Sequence, residues 1–398
     1  MARPDEQDTS RRDFFRTFGR ETVRQAGAVA GAAAELRRSS LAAARVLFDP
    51  EAPTDAPVLE TADLSEPVVD KSQPDATFRS AYRFTGTEIT ALDARQLPGR
   101  VQTVALVEPS EVASAIRAGA INGGPVLAAV GAYAMALAAR RAVARPDTGR
   151  VQQVRAAANT LRAAKPQIHA LTWAVDRLEA SYLELEGQGT DPAQVAESLE
   201  SEADSIASGS AGAHSQIGRI GAAAALSGEG EPINLLMHGD MGPLSCGMVG
   251  MGTALIQELR DAGRAVHVWL TEAAPGGEGG RVAAFGLGQL DVPFTVIPDA
   301  AVGWLIDRHS VAALLLRGDR VAANTDCGVL VGGLTAAIVA AAADVPVIVL
   351  APRNSFDPAA ADGAALRAGE TFAPGARLNP SSDVVPHDLV RQLVSEAG

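Results

Sequence analysis

The chain has few cysteines, few aromatics and too little positive charge to balance its acids. Only Cys246 and Cys327 occur in 398 residues. Two thiols and six scattered histidines cannot build a disulfide framework or a four-ligand zinc site, so no metal centre is expected and a reducing cytoplasm is the default. The 34 Lys+Arg against 47 Asp+Glu leave a formal charge of −13. That balance excludes a general nucleic-acid binder, which needs a basic stripe to displace counterions from phosphates. It does not exclude small anionic substrates, because a pocket can be locally positive on an acidic protein. No run of about 18 apolar residues is present, so no membrane span is expected. Aromatics make up 4% of the chain, which leaves Ala, Val, Leu and Gly to fill the interior.

What is there suits a globular protein. The hydrophobic share is 47% and the charged share 20%, and the length suggests two or three domains at roughly 150 residues each. Ser10-Arg11-Arg12-Asp13-Phe14-Phe15-Arg16 resembles a twin-arginine export signal. The apolar stretch after it is short and flanked by Arg20, Glu21 and Arg24 on one side and Glu35-Leu36-Arg37-Arg38 on the other, which favours a cytoplasmic helix. Residues 49–76, rich in Pro and acids without periodicity, read as a linker or extended surface segment.

Beyond the linker the pattern is helical. Helices are predicted over 111–117, with Ser110 as N-cap, and over 125–141, 151–163, 171–186, 192–205 and 215–226. From Pro232 the pattern changes to apolar, β-branched runs at 234–238, 265–270, 294–297, 312–316 and 345–350. Helical stretches lie between them, as in a parallel sheet covered on both faces. The division is therefore 1–75 as extension and linker, 76–228 as a mainly helical domain, and 229–398 as an open α/β domain. Ligands of such sheets bind outside the carboxyl ends of the strands. The strand ends here are polar: His238-Gly239-Asp240, Thr271-Glu272, Pro298-Asp299, Arg317-Gly318-Asp319-Arg320 and Ala351-Pro352-Arg353-Asn354.

Several residues at these ends carry possible chemistry. Asp319, between two arginines, is either a general acid/base or a structural ion pair. Cys246, in a glycine-rich loop before a helix, is either an activated thiol or an inert apolar residue. His238 is either an acid/base group or a satisfied structural histidine. Asn324-Thr325-Asp326 reads as a loop leading to a helix. Gly247-Met248-Val249-Gly250-Met251-Gly252, with Glu272 about twenty residues on, mimics a dinucleotide fingerprint. Its spacing is GxxGxG rather than GxGxxG, so a phosphate cradled at the helix N-terminus is the better reading and no cofactor is expected.

In order along the chain, these motifs resemble one family. They are Met237-His238-Gly239-Asp240-Met241-Gly242, Gly252-Thr253-Ala254-Leu255, Thr271-Glu272-Ala273-Ala274-Pro275 with Gly280-Arg281, and Phe294 to Asp299. Gly318-Asp319-Arg320 through Asn324-Thr325-Asp326, and Val345-Pro346 through Asp357, complete the second half. Leu92-Asp93, Gln96-Leu97-Pro98, Ile121-Asn122-Gly123-Gly124-Pro125, Ala132-Tyr133, Lys165-Pro166 and Trp173-Ala174 extend the match into the first. Over about residues 80–360 the chain resembles the methylthioribose-1-phosphate isomerases, ribose-1,5-bisphosphate isomerases and regulatory subunits of translation initiation factor 2B.

The resemblance implies a helical domain on a Rossmann-like α/β domain and a homodimer. It also implies an aldose–ketose isomerase acting on a ring-closed sugar 1-phosphate through a cysteine and an aspartate. The aspartate corresponds to Asp319. The cysteine falls on Gly239, and Cys246 in the lengthened loop is the candidate replacement. Substrate contacts are implied at Asn122, Gly123, Gly124, Lys165, Glu278, Arg281, Asn324 and Asp326. Arginines of the family pattern are replaced by Asn122, Lys165 and Ala274, a glutamine by Glu278, and an Asn-Lys pair by Val329-Leu330. The expectation is an isomerase-like protein with an altered site. The alternatives are a non-catalytic metabolite- or protein-binding relative and, third, a dinucleotide binder.

Overall fold

The computed structural model describes residues 81–226, 232–273, 277–367 and 380–398. The export-like motif and the linker lie outside the described residues. A short antiparallel sheet comes first, in the order β1 (Tyr82–Phe84), β2 (Ile89–Leu92), β3 (Thr103–Leu106). Five helices follow: α1 (Pro109–Arg117), α2 (Val126–Ala142), α3 (Asp147–Arg162), α4 (His169–Gly187) and α5 (Pro192–Ala225).

The shortage of aromatics is met by close helix packing. Helix α2 is buried along nearly its whole length, with Leu127, Val130, Met135 and Leu137 enclosed by α3, α4 and α5. Gly131 permits the approach of α4, since a Cβ there would lie 2.7 Å from Leu171 Cδ1. Each buried Leu or Val contributes about 1.5–3 kcal/mol relative to exposure.

The second half is a six-stranded, wholly parallel sheet in the order β12 (Gln392–Val394), β10 (Val347–Leu350), β7 (Ala313–Arg317), β4 (Ile233–Met237), β5 (Val266–Thr271), β6 (Phe294–Ile297). The chain runs outward from β4 through β5 to β6, then returns to lay β7 on the other side of β4. That reversal makes a topological switch point between β4 and β7, the crevice such sheets offer to ligands. Covering the sheet are α7 (Met251–Asp261), α8 (Glu278–Gln289), α9 (Val302–Arg308) and α10 (Gly333–Ala342), with the one-turn α6 (Pro243–Cys246) before α7. A second small antiparallel sheet, β11 (Ser382–Val385), β9 (Cys327–Leu330), β8 (Arg320–Val321), hangs from the end of β7, and the short α11 (Gly363–Leu366) lies beside it.

Three local expectations are corrected. The first helix starts at Pro109 rather than Glu111, and its N-cap is Glu108 rather than Ser110. The Glu111 carboxylate accepts the backbone N–H groups of Val107 (2.8 Å) and Glu108 (3.0 Å), and Pro suits the first helical position. The helices over 192–205 and 215–226 are one helix, α5. The Ser-Gly stretch at 208–212 stays helical because Ile206, Ala207, His214 and Ile217 are buried on either side, while the hydroxyls of Ser208, Ser210 and Ser215 bond back to carbonyls four residues earlier. Asn324-Thr325 forms the β8–β9 turn, with Thr325 at φ 68°, and leads to a strand rather than a helix.

Helix α5 belongs to both cores. Val195, Leu199 and Ala203 pack among the helices, while Ile217, Ala222 and Ala225 pack under the parallel sheet. Gly218 lets it touch α7, where a Cβ would meet that of Ala254 at 2.4 Å. Between these regions His214 is buried, its Nδ1 3.0 Å from the Val249 carbonyl. Among the described residues no helix is long and apolar enough to cross a membrane.

Burial lowers the His214 pKa to about 4 from its ordinary 6.5. The folded state therefore keeps it neutral while the unfolded chain takes up a proton first as pH falls. Its contribution is fully present above pH 6.5 and is lost between there and pH 4, about 3 kcal/mol in all. Urea denaturation at pH 7 and pH 4.5 will show this loss, and His214→Leu will flatten the slope.

Candidate active site

The site forms where β4 and β7 end side by side. Strand β4 runs out through His238, which is held on both ring nitrogens. Nε2 lies 2.8 Å from the Val331 carbonyl and Nδ1 2.8 Å from Thr271 Oγ1, and burial lowers the pKa of the ring. A carbonyl can only accept, so Nε2 donates, and with protein partners on both ring nitrogens the side chain is held as a structural histidine is. Gly239 turns the chain at φ 81°, a left-handed conformation that favours glycine.

Asp240 then folds into a tight turn. Its Oδ1 accepts the Gly242 N–H at 2.9 Å, and its carbonyl accepts the Ser245 hydroxyl at 2.8 Å. Strand β7 ends at Arg317, whose side chain lies across this turn. The guanidinium donates through Nε to Asp319 Oδ1 (2.7 Å), through Nη2 to Asp319 Oδ2 (3.2 Å) and through Nη1 to the Asp240 carbonyl. Both partners are nearly enclosed. A desolvated, two-pronged Arg–carboxylate pair of this kind fixes geometry better than a single contact does.

The segment before α2 closes over the pair as bare main chain. A Cβ on Gly124 would stand 2.1 Å from Asp319 Oδ1, and one on Gly123 would stand 2.5 Å from Ser245 Cα. Asn122 follows the same path, and its Oδ1 accepts a hydrogen bond from Lys165 Nζ at 3.2 Å. Asp319 is tied to the helical half as well, its carbonyl accepting the His169 N–H at 3.2 Å.

These groups surround a cavity of about 260 Å³. Of the predicted residues, Asn122, Gly123, Lys165 and Asp319 line it, and Gly124 lies directly against the Asp319 carboxylate. Helix α8 contributes Gly279 and Val282 to the wall rather than Arg281. Glu278 begins that helix, but its side chain lies outside the described residues, as does Ala274. Asn324 and Asp326 stand off the wall in the β8–β9 turn. There the Asp326 carboxylate collects Asn324 Nδ2, the backbone N–H groups of Gly363 and His387, and His387 Nδ1, each at 2.9 Å. Burial works against the charge of Asp326, but these bonds outweigh it and hold the carboxyl well below the usual range.

Cys246 is buried in the apolar core behind the wall, with Sγ 3.8 Å from Ser245 Oγ. Burial pushes its thiol up to about 11, despite the nearby Arg317. An un-ionised thiol packed among aliphatic side chains is a poor nucleophile. The glycines of the fingerprint-like loop serve packing. A Cβ on Gly250 would lie 2.4 Å from the Gly242 carbonyl carbon, and one on Gly252 would lie 2.9 Å from Met241 Cβ.

The wall also holds groups that were not assigned from the sequence: Asp240, Ser245, Arg317, Arg320 and Asp383. The first four stand at or just after polar strand ends already visible in the sequence. Asp383 had no such signal. It reaches the wall because β11 pairs with β9, and its Oδ2 accepts the N–H groups of Gly332 (2.8 Å) and Leu334 (3.2 Å) at the start of α10. Arg320 is held by Asp357, at 2.8 Å from Nε and 2.6 Å from Nη2.

A helical half against a Rossmann-like parallel sheet, with a polar cavity at the switch point, defines the class of protein. The chain belongs to the initiation factor 2 subunit family, whose model matches residues 120–398. The methylthioribose-1-phosphate isomerases of Parasynechococcus marenigrum (strain WH8102) and Synechococcus sp. (strain CC9605) are 32% and 31% identical to it, each alignment covering 81% of this chain and 94% of the relative. In fold it is similar to 5-methylthioribose 1-phosphate isomerase from Pyrococcus horikoshii OT3, with a TM-score of 0.67 at 22% identity, covering 80% of this chain and 91% of that one. It is similar too to translation initiation factor eIF-2B, subunit delta, from A. fulgidus, with a TM-score of 0.63 at 23% identity, covering 80% and 95%.

Removing one partner of a buried ion pair strands the other charge. Arg317→Met will therefore cost about 3–5 kcal/mol of stability at neutral pH. The double substitution Arg317→Met with Asp319→Leu will recover most of that loss in urea denaturation.

Proposed function

We propose that the chain is an aldose–ketose isomerase of the methylthioribose-1-phosphate isomerase type, with an altered active site, acting on a ring-closed sugar phosphate in the cytoplasm as a homodimer. The observation that carries this reading is the placement of Asp319 on the wall of the switch-point cavity, held in one orientation by Arg317, with Lys165 on the same wall.

The chemistry calls for such an arrangement. An aldose 1-phosphate cannot open spontaneously, because its anomeric oxygen carries the phosphate. Ring opening needs a proton at the ring oxygen, and ketose formation needs a base for the proton of the C2 hydroxyl. Asp319 supplies the base. Lys165 offers a point charge to the phosphate, without the two-pronged grip an arginine would give. The family relationship at about 30% identity over most of both chains supports an isomerase.

A second reading has its own observation. Gly239 has no side chain where the family resemblance calls for a thiol, and Cys246 is in the core rather than on the wall. A relative that binds a metabolite or a protein without turnover, as the initiation-factor subunits resemble, would tolerate both.

Incubation with methylthioribose 1-phosphate and, separately, ribose 1,5-bisphosphate, followed by NMR for the ketose, separates the two. The isomerase reading expects turnover of one of them, and a loss of about 10²-fold or more in Asp319→Asn. Turnover of neither, or turnover unaffected by the substitution, overturns it. Tight binding without turnover supports the second reading.

A further inference from the structure

We propose that Asp383 is the sugar-binding carboxylate of the cavity, accepting a hydrogen bond from the C3 hydroxyl of the ring. The inference rests on the isomerase reading of this same site and adds a residue that tells a hydroxylated ring from a deoxygenated one.

Three aspartates stand on the cavity wall: Asp240, Asp319 and Asp383. They differ in what each leaves open. Both oxygens of Asp319 accept from Arg317. Oδ1 of Asp240 accepts the Gly242 N–H, and its Oδ2 is enclosed. Asp383 is gripped on one side only. Its Oδ2 accepts the N–H groups of Gly332 and Leu334, at 2.8 and 3.2 Å. Its Oδ1 has no hydrogen-bond partner among the described residues and is not enclosed. No lysine or arginine among those residues pairs with it either. Asp383 Oδ1 is thus the open carboxylate oxygen of the wall.

That oxygen is held in place before any ligand arrives. Two main-chain donors at the start of α10 fix its neighbour Oδ2, where the end of a helix favours a negative charge. The main chain is fixed as well, because β11 pairs with β9 from Ser382 to Val385. An acceptor positioned in this way spares the ligand the cost of ordering it.

An ionised carboxyl only accepts, so the ligand must bring the hydrogen. In methylthioribose 1-phosphate the ionised phosphate, the ring oxygen and the sulfur bring none. The hydroxyls at C2 and C3 remain, and isomerisation gives the C2 proton to Asp319. The C3 hydroxyl is left for Asp383. Strand β9 separates the two aspartates: Asp383 is in register with Val329, and the Asp319 N–H reaches the Gly328 carbonyl at 2.8 Å. Their main chains therefore lie about two strand spacings, roughly 10 Å, apart. That is wide enough for one furanose ring between the carboxyls. A ring without the C3 hydroxyl would leave a desolvated acceptor unpaired, which is how polar sites reject deoxygenated analogues.

Two unreactive probes test this by titration calorimetry on the full chain. The 2-deoxy form of methylthioribose 1-phosphate keeps the C3 hydroxyl but has no C2 hydroxyl to oxidise, and the 2,3-dideoxy form lacks both. The wild type is expected to bind the first at least about tenfold more tightly than the second. In Asp383→Ser the two are expected to bind within about threefold of each other, since a serine hydroxyl can cap α10 but has no second oxygen. Asp383→Asn keeps the cap through its amide oxygen and must also reduce the ratio, because a neutral group replaces a charged acceptor. A wild-type ratio near one overturns the proposal, whatever the variants do. So does a ratio that folded variants leave unchanged, or a wild type that does not bind the 2-deoxy form. Neither probe can become a ketose, so the result does not depend on turnover. A protein that shows the ratio but makes no ketose from methylthioribose 1-phosphate keeps Asp383 as its sugar-binding group while the isomerase reading fails. One that makes the ketose without the ratio loses the Asp383 assignment alone.

Discussion

The ion pair between Arg317 and Asp319 is the constraint around which the site is built. A guanidinium has five N–H donors in one plane, and burying it requires acceptors in that plane. Asp319 fills one edge and the Asp240 carbonyl fills another. To supply these acceptors the chain must make a tight turn after β4, hold it with Ser245, and bring Gly123 and Gly124 in without side chains. Strand order, turn and glycines are thus answers to a single demand. The cavity is the space left once that demand is met.

The two aspartates beside Arg317 are held in different ways. Because its third contact goes to main chain, one carboxyl is paired and the other is merely buried. Distance from a charge alone does not separate them. Which atom the hydrogen bond reaches does.

Much of the architecture was legible in the sequence, and its limits are instructive. The apolar runs at 234–238, 265–270, 294–297, 312–316 and 345–350 correspond to β4, β5, β6, β7 and β10, because a strand buried on both faces has to be apolar throughout. The polar strand ends marked the site for the same reason. Other features depend on tertiary partners and leave little local trace. The Ser-Gly stretch at 208–212 looks like a break, and only burial on both sides keeps α5 continuous. The strands β1 to β3 are only three or four residues long, and β1 and β3 are half-exposed, so their pattern is weak. Asp326 looks like a ligand contact, yet its carboxylate is used in fastening the turn to Gly363 and His387. Cys246 stands near the strand end in sequence, but a one-turn helix rotates it into the core.

The continuity of α5 also limits how the protein can move. At a rise of roughly 1.5 Å per residue, its 34 residues form one rod anchored among the helices at one end and beneath the sheet at the other. A hinge that swung one half from the other, as two-domain enzymes commonly do around a substrate, would have to bend that rod where Gly218 and Ala254 are in contact. With that rod unbent, Asn122 and Lys165 from the helical half keep their places on the wall they share with Asp319.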